Sequence, residues 1–103
     1  MTDTMHAIEQ CQIEVQRKGD LWRGPEWWFE AIAMGSQGRY VAATSRKVRT
    51  KMPGDLTRNT ALMAALNDLT AALIADGWQV VPGATRALWL GRIVTPVLQR
   101  RAR

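Results

Sequence analysis

Apolar and polar residues alternate through the first half of the chain, which is the pattern of strands with one buried face. Residues 8–17 (IEQCQIEVQR) alternate cysteine, isoleucine and valine with glutamine and glutamate. Residues 26–34 (EWWFEAIAM) form a second predicted strand, and residues 40–49 (YVAATSRKVR) form a third after a glycine-containing turn. The second and third strands should therefore pair as a hairpin.

The second half opens with the strongest helical pattern in the sequence, in residues 56–78 (LTRNTALMAALNDLTAALIADGW). Four leucines recur at helical spacing and predict one apolar stripe: Leu62, Leu66, Leu69 and Leu73. Because Pro53 cannot lie in a helix interior, the helix begins after it. Asp55 or Thr57 is the expected N-cap, since either side chain can accept a hydrogen bond from the free amides of the first turn.

The end of the predicted helix lies near Asp76. Gly77 follows, and glycine readily takes the left-handed conformation that stops a helix. Trp78 occupies the position from which an apolar side chain folds back on Leu73 in a Schellman closure. The chain should therefore turn sharply here and enter a strand packed against the same core.

Two short strands are predicted after the helix. The first comprises residues 78–81 (WQVV) and ends at the proline and glycine of residues 82–83. The second comprises residues 84–94 (ATRALWLGRIV), pairs with the first, and ends at Pro96. Residues 96–103 then form a basic C-terminal tail, which we expect to be mobile unless it is bound.

The element order β-β-β-α-β-β predicts the α+β class. We expect an antiparallel sheet of about five strands with one long helix packed on one face. A chain of 103 residues has the usual length of one domain. Residues 1–95 are therefore predicted to form a single domain, with the tail outside it.

One helix covers only one face of a sheet, yet the second strand is apolar on both faces. Trp27 and Trp28 are adjacent, so their side chains must point to opposite faces. The last strand shows the same trait and carries Trp89. The second face could be covered by loops and the tail, by the 18–25 loop with Trp22, by a second subunit or by an external ligand. Trp22, Trp28 and Trp89 are the candidate interface aromatics.

The net charge of +5 is unevenly distributed along the sequence. Residues 39–54 and residues 77–103 each carry five basic residues and no acid, and they flank the helix. If the two segments meet in space, they form a patch that attracts polyanions. The candidate binding residues are Arg46, Lys47, Arg49, Lys51, Arg86, Arg92, Arg100, Arg101 and Arg103. Exposed tryptophans could add stacking surfaces for unpaired bases.

The sequence offers little material for catalysis. Cys11 and His6 are the only cysteine and histidine, so no internal disulfide, metal site or cofactor is predicted. Tyr40 and its basic neighbours could serve a ribonuclease of the toxin type that works without histidine. Such toxins usually place helices before the sheet, whereas this chain opens with three strands. We therefore expect that the protein is not an enzyme.

The N-terminal residues lack the basic flank and apolar core of a signal peptide. No apolar run approaches the roughly 18 residues that cross a bilayer. The sequence therefore predicts a cytoplasmic protein with no membrane partner.

Residues 73–81 (LIADGWQVV) join the helix to a strand through an acid-Gly-Trp turn. This junction resembles that of small uncharacterised bacterial proteins, including the DUF4177-like group and short actinobacterial or actinophage proteins. The resemblance covers about residues 60–92 and implies a small sheet with one helix. It implies no catalytic residue and no function, because its glycine and tryptophan serve the turn and the packing.

These patterns favour a small binding module that is not an enzyme, self-associates and binds an acidic partner, with nucleic acid as the first candidate. A homodimer would form through the sheet face or edge. The alternative is a protein–protein interaction adaptor, phage-encoded and host-directed, whose basic residues only keep it in solution.

Overall fold

The computed structural model describes residues 8–20, 22–51, 56–88 and 93–101. It confirms the predicted α+β class, since one helix packs on an antiparallel sheet. The elements are β1 (Ile8–Lys18), β2 (Glu26–Gly35), β3 (Gly38–Thr44), β4 (Val48–Arg49), α1 (Thr60–Ala75), β5 (Gln79–Leu88) and β6 (Ile93–Arg101). Within these described segments, no helix combines the length and the apolarity that a bilayer crossing requires.

The strands are ordered β3-β2-β1-β6-β5, and β4 pairs with β2. The first two strands pair along most of their length, from Gln10 opposite Met34 to Lys18 opposite Glu26. At one end of the sheet Ile8 pairs with Arg101. At the other end of the 11-residue β1, about 30 Å away, Lys18 lies opposite Glu26, which also pairs with Arg49 of β4. The register therefore decides which charged residues share an end of the sheet.

Alternate positions of the first two strands form the core with the apolar stripe of α1, as predicted. The buried strand residues are Cys11, Ile13, Trp27, Phe29, Ala31 and Ala33. The helix contributes Leu62, Leu66, Leu69 and Leu73. The remaining positions of β1 and β2 lie on the other side of the sheet, the open face, which includes Gln12, Glu14, Trp28, Glu30, Ile32 and Met34. Because strand side chains alternate, the two adjacent tryptophans point to opposite faces.

The N-cap of α1 is Asn59, so the prediction of Asp55 or Thr57 is wrong. The Asn59 side chain accepts a hydrogen bond from the Leu62 amide at 3.0 Å. A 3-10 turn over Leu56–Arg58 contains Thr57 and precedes the helix, while Asp55 lies outside the described residues. The turn occupies the positions where the sequence pattern placed the first turn of the helix, so the cap shifts along the chain.

The C-terminal closure of α1 has the predicted form. Gly77 has a φ of +98°, in the left-handed region. The Trp78 amide donates a hydrogen bond to the Leu73 carbonyl at 3.0 Å, and both side chains are buried in the core. The turn therefore places Trp78 in the core beside the last turn of α1.

The predicted third strand is interrupted after Thr44. The Ser45 amide donates to the Phe29 carbonyl at 2.8 Å, and the Phe29 amide donates to the Ser45 hydroxyl at 2.9 Å. That hydroxyl also donates to the Arg46 carbonyl at 2.9 Å. The Phe29 amide thus bonds to the buried Ser45 side chain and not to a backbone carbonyl. Regular strand pairing with β2 therefore stops after Thr44 and resumes only in β4, at Val48.

Prolines do not end the last two strands where the sequence pattern indicates. Residues 82–83 lie inside β5, where the register shifts between Val80 and Thr85. This strand is the sheet edge, where proline is tolerated. Pro96 lies inside β6 and precedes residues 98–101, which pair with β1. The prediction of a tail from residue 96 is therefore wrong up to Arg101, while residues 102–103 lie outside the described part of the chain.

Candidate nucleic-acid interface

Two separate stretches of sequence meet where β1 ends and β4 pairs with β2. Six basic residues lie there, all with exposed side chains: Arg17, Lys18, Arg23, Lys47, Arg49 and Lys51. We call this set the basic end. The acids in the same stretches are Asp20 and Glu26, and Glu26 lies 3.9 Å from the Arg49 guanidinium. The basic end therefore carries a clear excess of positive charge.

The loop that joins β1 to β2 is fastened to the chain that follows β4. The Gly24 carbonyl accepts a hydrogen bond from Arg49 Nη1 at 2.7 Å. The Pro25 carbonyl accepts one from the Thr50 amide at 3.2 Å. Gly24 has a φ of +81°, and a side chain there would meet Lys51. These contacts bring Lys51 against the loop that carries Arg23.

Trp22 projects from this loop and is 90% exposed. The backbone beside it is ordered by a hydrogen bond from the Arg23 amide to Asp20 Oδ1 at 2.9 Å. The proposal that Trp22 covers the second sheet face is therefore wrong, because the ring contacts too little protein. Trp89, another candidate interface aromatic, lies outside the described residues.

Trp28 lies half-buried on the open face, as its alternation predicts. Its indole Nε1 donates to Glu30 Oε2 at 3.1 Å. Lys47 Nζ lies 4.8 Å from the centre of its ring, within the range of a cation–π contact. The ring therefore already has a cation over it and an acceptor for its polar edge.

Two of the sequence-predicted binding residues are engaged by acids away from the basic end. Arg46 Nη1 lies 2.8 Å from Asp68 Oδ2 of the helix. Arg86 donates to Gln12 Oε1 at 2.6 Å and lies 3.8 Å from Glu14. Their charges are thus partly compensated within the fold.

Arg100 is the most enclosed of those predicted binding residues that the structure describes, with its side chain 18% exposed. It contacts Asp76 Oδ2 at 2.7 Å, Glu9 Oε2 at 3.3 Å and the Tyr40 hydroxyl at 3.4 Å. Its guanidinium lies 4.3 Å from the centre of the Trp78 ring. We call Glu9, Tyr40, Asp76, Trp78 and Arg100 the ion-pair end.

The surroundings at the ion-pair end favour the protonated forms of Arg100 and Tyr40. Burial opposes the charged form of Arg100, but hydrogen bonds with Tyr40 and Glu9 outweigh it and raise the pKa of Arg100. Burial and the 2.6 Å hydrogen bond that Tyr40 donates to Glu9 raise the pKa of Tyr40. Arg100 is therefore a structural cation, and Tyr40 is a poor source of phenolate.

The two basic segments of the sequence do not form one patch among the described residues. Arg101 is exposed but pairs with Ile8, whereas Arg49 pairs with Glu26 at the opposite end of the sheet. The length of β1 separates them by about 30 Å. Arg92 and Arg103 lie outside the described residues. Of the nine predicted residues, only Lys47, Arg49 and Lys51 belong to the basic end.

Sequence reasoning missed the other half of the basic end, which is Arg17, Lys18 and Arg23. These residues belong to the N-terminal 38 residues, where acids outnumber bases. The net charge of that whole segment is negative, so it does not reveal this local group of three cations. The available signal was local: residues 17–23 (RKGDLWR) interleave basic residues with a tryptophan.

Little else among the described residues suggests reactive chemistry. No group of three or more His, Cys, Asp or Glu side chains in that part of the chain could hold a metal ion. The Cys11 side chain is fully buried, and burial raises its pKa to about 11. What the basic end offers is positive charge beside an exposed aromatic ring, which suits the binding of an anionic polymer.

Comparisons with known protein families, with curated proteins and with solved structures found no match for this chain.

Proposed function

We propose that this chain is a non-enzymatic module that binds nucleic acid through the basic end. The observation that carries the proposal is that six exposed cations lie at one end of the sheet, around a fastened loop that carries one of them, Arg23. Lysine and arginine side chains neutralise phosphates and release condensed counterions, and this release drives binding without regard to sequence. Phosphate contacts also orient a nucleic acid on the protein surface.

The arrangement of the charges supports this function over mere solubility. Elsewhere on the fold, Arg39, Arg46, Arg86 and Arg100 each lie within 4 Å of a carboxylate. At the basic end, Arg49 lies 3.9 Å from Glu26, but the cations outnumber the acids, and an excess of like charge costs free energy. An anionic partner would relieve that repulsion.

The test is a triple variant, Lys18→Gln, Arg23→Gln and Lys51→Gln, measured by fluorescence anisotropy with labelled DNA and RNA over a salt series. We expect binding at least about 10-fold weaker at low salt, and a plot of log K against log salt that is shallower by about 3. The changes are on the surface, so the thermal unfolding curve should be nearly unchanged.

The matched control removes three other exposed arginines, by Arg39→Gln, Arg46→Gln and Arg101→Gln, and so lowers the net charge equally. We expect this variant to retain most of the affinity. Equal losses in both variants would mean that net charge, not the basic end, attracts the ligand. Failure of the wild-type protein to bind single- or double-stranded DNA or RNA at low salt would overturn the proposal.

A second candidate function is self-association or adaptor binding through the open face. Met34 is 54% exposed and Val41 is 51% exposed, and Ile32 pairs directly with Val41. These side chains form an apolar patch on the sheet. The open face is a better candidate for self-association than the β5 edge, because the register shift between Val80 and Thr85 distorts that edge and hinders strand pairing.

Light scattering over a concentration series tests this second candidate. We expect a dimer in the wild-type protein and a monomer in a Met34→Glu, Val41→Glu double variant, because burying those charges is costly. Lys47→Gln, outside the apolar patch, is the control and should still dimerise. A wild-type monomer at high micromolar concentration would exclude a stable homodimer and leave an adaptor that captures a different protein through the same patch.

A further inference from the structure

We infer that Trp22 is a stacking platform for an unpaired base, so that single-stranded nucleic acid is the preferred ligand of the basic end. This inference rests on the proposed function and adds the ligand class to it. In the described part of the loop, the backbone of residues 23–25 is hydrogen-bonded, while the Trp22 side chain touches almost nothing.

Both ends of the loop are packed. Pro25 is fully buried, and a side chain on Gly19, which has a φ of +106°, would contact the Pro25 Cα at 3.4 Å. The carbonyls of Gly24 and Pro25 bind Arg49 and the Thr50 amide, as described above. A loop held at both ends presents its tip in a restricted set of positions, which lowers the entropy lost on binding.

The exposure of Trp22 is unusual for so large an apolar side chain. Large aromatic rings contribute strongly to burial when they are covered, yet this ring is 90% exposed. The other described tryptophans, at positions 27, 28 and 78, are buried or half-buried. An exposed ring on a fastened loop is therefore a surface for a flat partner rather than a part of the core.

Nucleobases are the flat partners that fit the surrounding charge. Every base has a π face, so stacking on tryptophan tolerates any sequence. In a duplex the base faces are already stacked on one another, so the ring can reach them only in a single strand or at an end. Arg23 follows Trp22 directly, and Lys51 packs against Gly24. The phosphates that flank a stacked base would therefore find cations on the same loop.

Trp28 is a weaker platform because its ring is already occupied. Lys47 lies over the ring and Glu30 accepts its indole proton. A base that stacked there would have to displace the lysine and approach the Glu30 carboxylate. Trp28→Phe is accordingly the control variant, since it keeps an aromatic ring on the open face and leaves the loop unchanged.

A tryptophan among basic residues is also typical of proteins that bind anionic membranes. The described part of the loop favours nucleic acid, because Asp20 lies two residues before Trp22 and accepts the hydrogen bond that shapes the tip. Inserting the ring into a bilayer would carry this carboxylate towards anionic headgroups. Stacking a single base leaves it in water.

The test compares Trp22→Ala, Trp22→Phe and Trp28→Phe with the wild-type protein. The probes are an oligothymidine of about 20 nucleotides and a mixed-sequence duplex of equal length, a span that exceeds the usual single-strand site. Vesicles that contain phosphatidylglycerol are the third probe. We expect Trp22→Ala to weaken oligothymidine binding about 10-fold and duplex binding less than about twofold. The salt slope should not change, because no phosphate contact is lost.

The controls separate stacking from damage to the fold. Trp22→Phe should recover most of the oligothymidine affinity, and Trp28→Phe should bind as the wild type does. Oligothymidine should quench the tryptophan fluorescence of the wild-type protein and quench that of Trp22→Phe less. Circular dichroism should show the same fold in all variants, since Trp22 makes little contact with the protein.

Three results would overturn the inference in distinguishable ways. If Trp22→Ala binds oligothymidine as the wild type does, while the triple charge variant does not, the ligand is held by phosphates alone and the proposed function stands. If neither changes binding, both proposals fail. If Trp22→Ala loses vesicle binding but not oligothymidine binding, the loop is a membrane anchor.

Discussion

Arginine and tryptophan occur together at both ends of the sheet but in opposite surroundings. At the ion-pair end, Arg100 lies over a fully enclosed Trp78 and contacts Glu9 and Asp76. At the basic end, Trp22 and the six cations are exposed to solvent. The difference lies in the neighbouring carboxylates, which are close where the cation is enclosed and few where it is exposed.

The comparison shows why residue type alone does not identify a binding site. A cation leaves water at a high cost unless acids and hydrogen-bond acceptors replace the lost solvent. Arg100 has such partners on three elements, and its role is to join them. The cations of the basic end stay exposed to solvent, and their charge is therefore accessible from outside the fold.

Arg100→Ala should lower the free energy of unfolding by about 2–3 kcal/mol, because it leaves Glu9 partly buried without its cation and removes the contact with Trp78. Urea denaturation followed by tryptophan fluorescence measures this change. Arg101→Ala, at the next residue of the same strand, is the control and should cost less than about 0.5 kcal/mol. Equal effects at the two positions would show that Arg100 is no more structural than its exposed neighbour.

The two ends of α1 are held in different ways. Arg100, from a distant part of the sequence, contacts Asp76 at the C-terminal end, whereas Asn59 caps the N-terminal end with its own side chain. Asn59→Ala should therefore cost about 1 kcal/mol of unfolding free energy, as the loss of one capping hydrogen bond does. Asn59→Asp, which keeps the acceptor, should cost much less. A loss of similar size in both variants would argue against Asn59 as the cap.

The ion-pair end and the adjacent core should also make the fold sensitive to alkali. In the folded state the pKa of Cys11 is raised from 9.0 to about 11, chiefly by burial, and that of Tyr40 is raised from 10.0. For both groups the folded state holds the proton more tightly, so their contribution is complete below pH 9. It is lost as the pH rises through the folded-state pKa of each group, which for Cys11 is about 11.

Urea unfolding at a series of pH values from 8 to 11 measures this loss. Tyr40→Phe cannot ionise, so its stability should fall less steeply than that of the wild-type protein above pH 10. The Cys11 thiol should react with an aromatic disulfide reagent at pH 8 only after unfolding. A thiol that reacts promptly in the folded protein would contradict the burial of this residue.

The smallest effect expected is a gain in stability at the basic end. Lys18→Gln with Lys51→Gln should raise the unfolding free energy by a few tenths of a kcal/mol at low salt, because it relieves repulsion between exposed cations. The gain should disappear near 1 M salt, where the screening length falls to about 3 Å. Arg46→Gln, whose partner is Asp68, should show no gain. A loss of stability in the double variant would mean that these cations hold the fold together.

The sequence by itself determined the features that depend on local periodicity. The alternation of residues 8–17 and 26–34 predicted which side chains face the core, including the opposed Trp27 and Trp28. The leucine spacing predicted the buried stripe of the helix, and the pair Gly77 and Trp78 predicted its closure. Each of these follows from the geometry of one strand or one helical turn, so neighbouring residues suffice to specify it.

Only the tertiary structure decided which distant residues meet. The register that places Lys18 opposite Glu26, and Glu26 opposite Arg49, joins two stretches of opposite average charge into the basic end. The pairing of β6 with both neighbours overrides Pro96 and encloses Arg100 among acids from other elements. Charge counted along the chain misses both results, because electrostatic interactions depend on separation in space and on access to water.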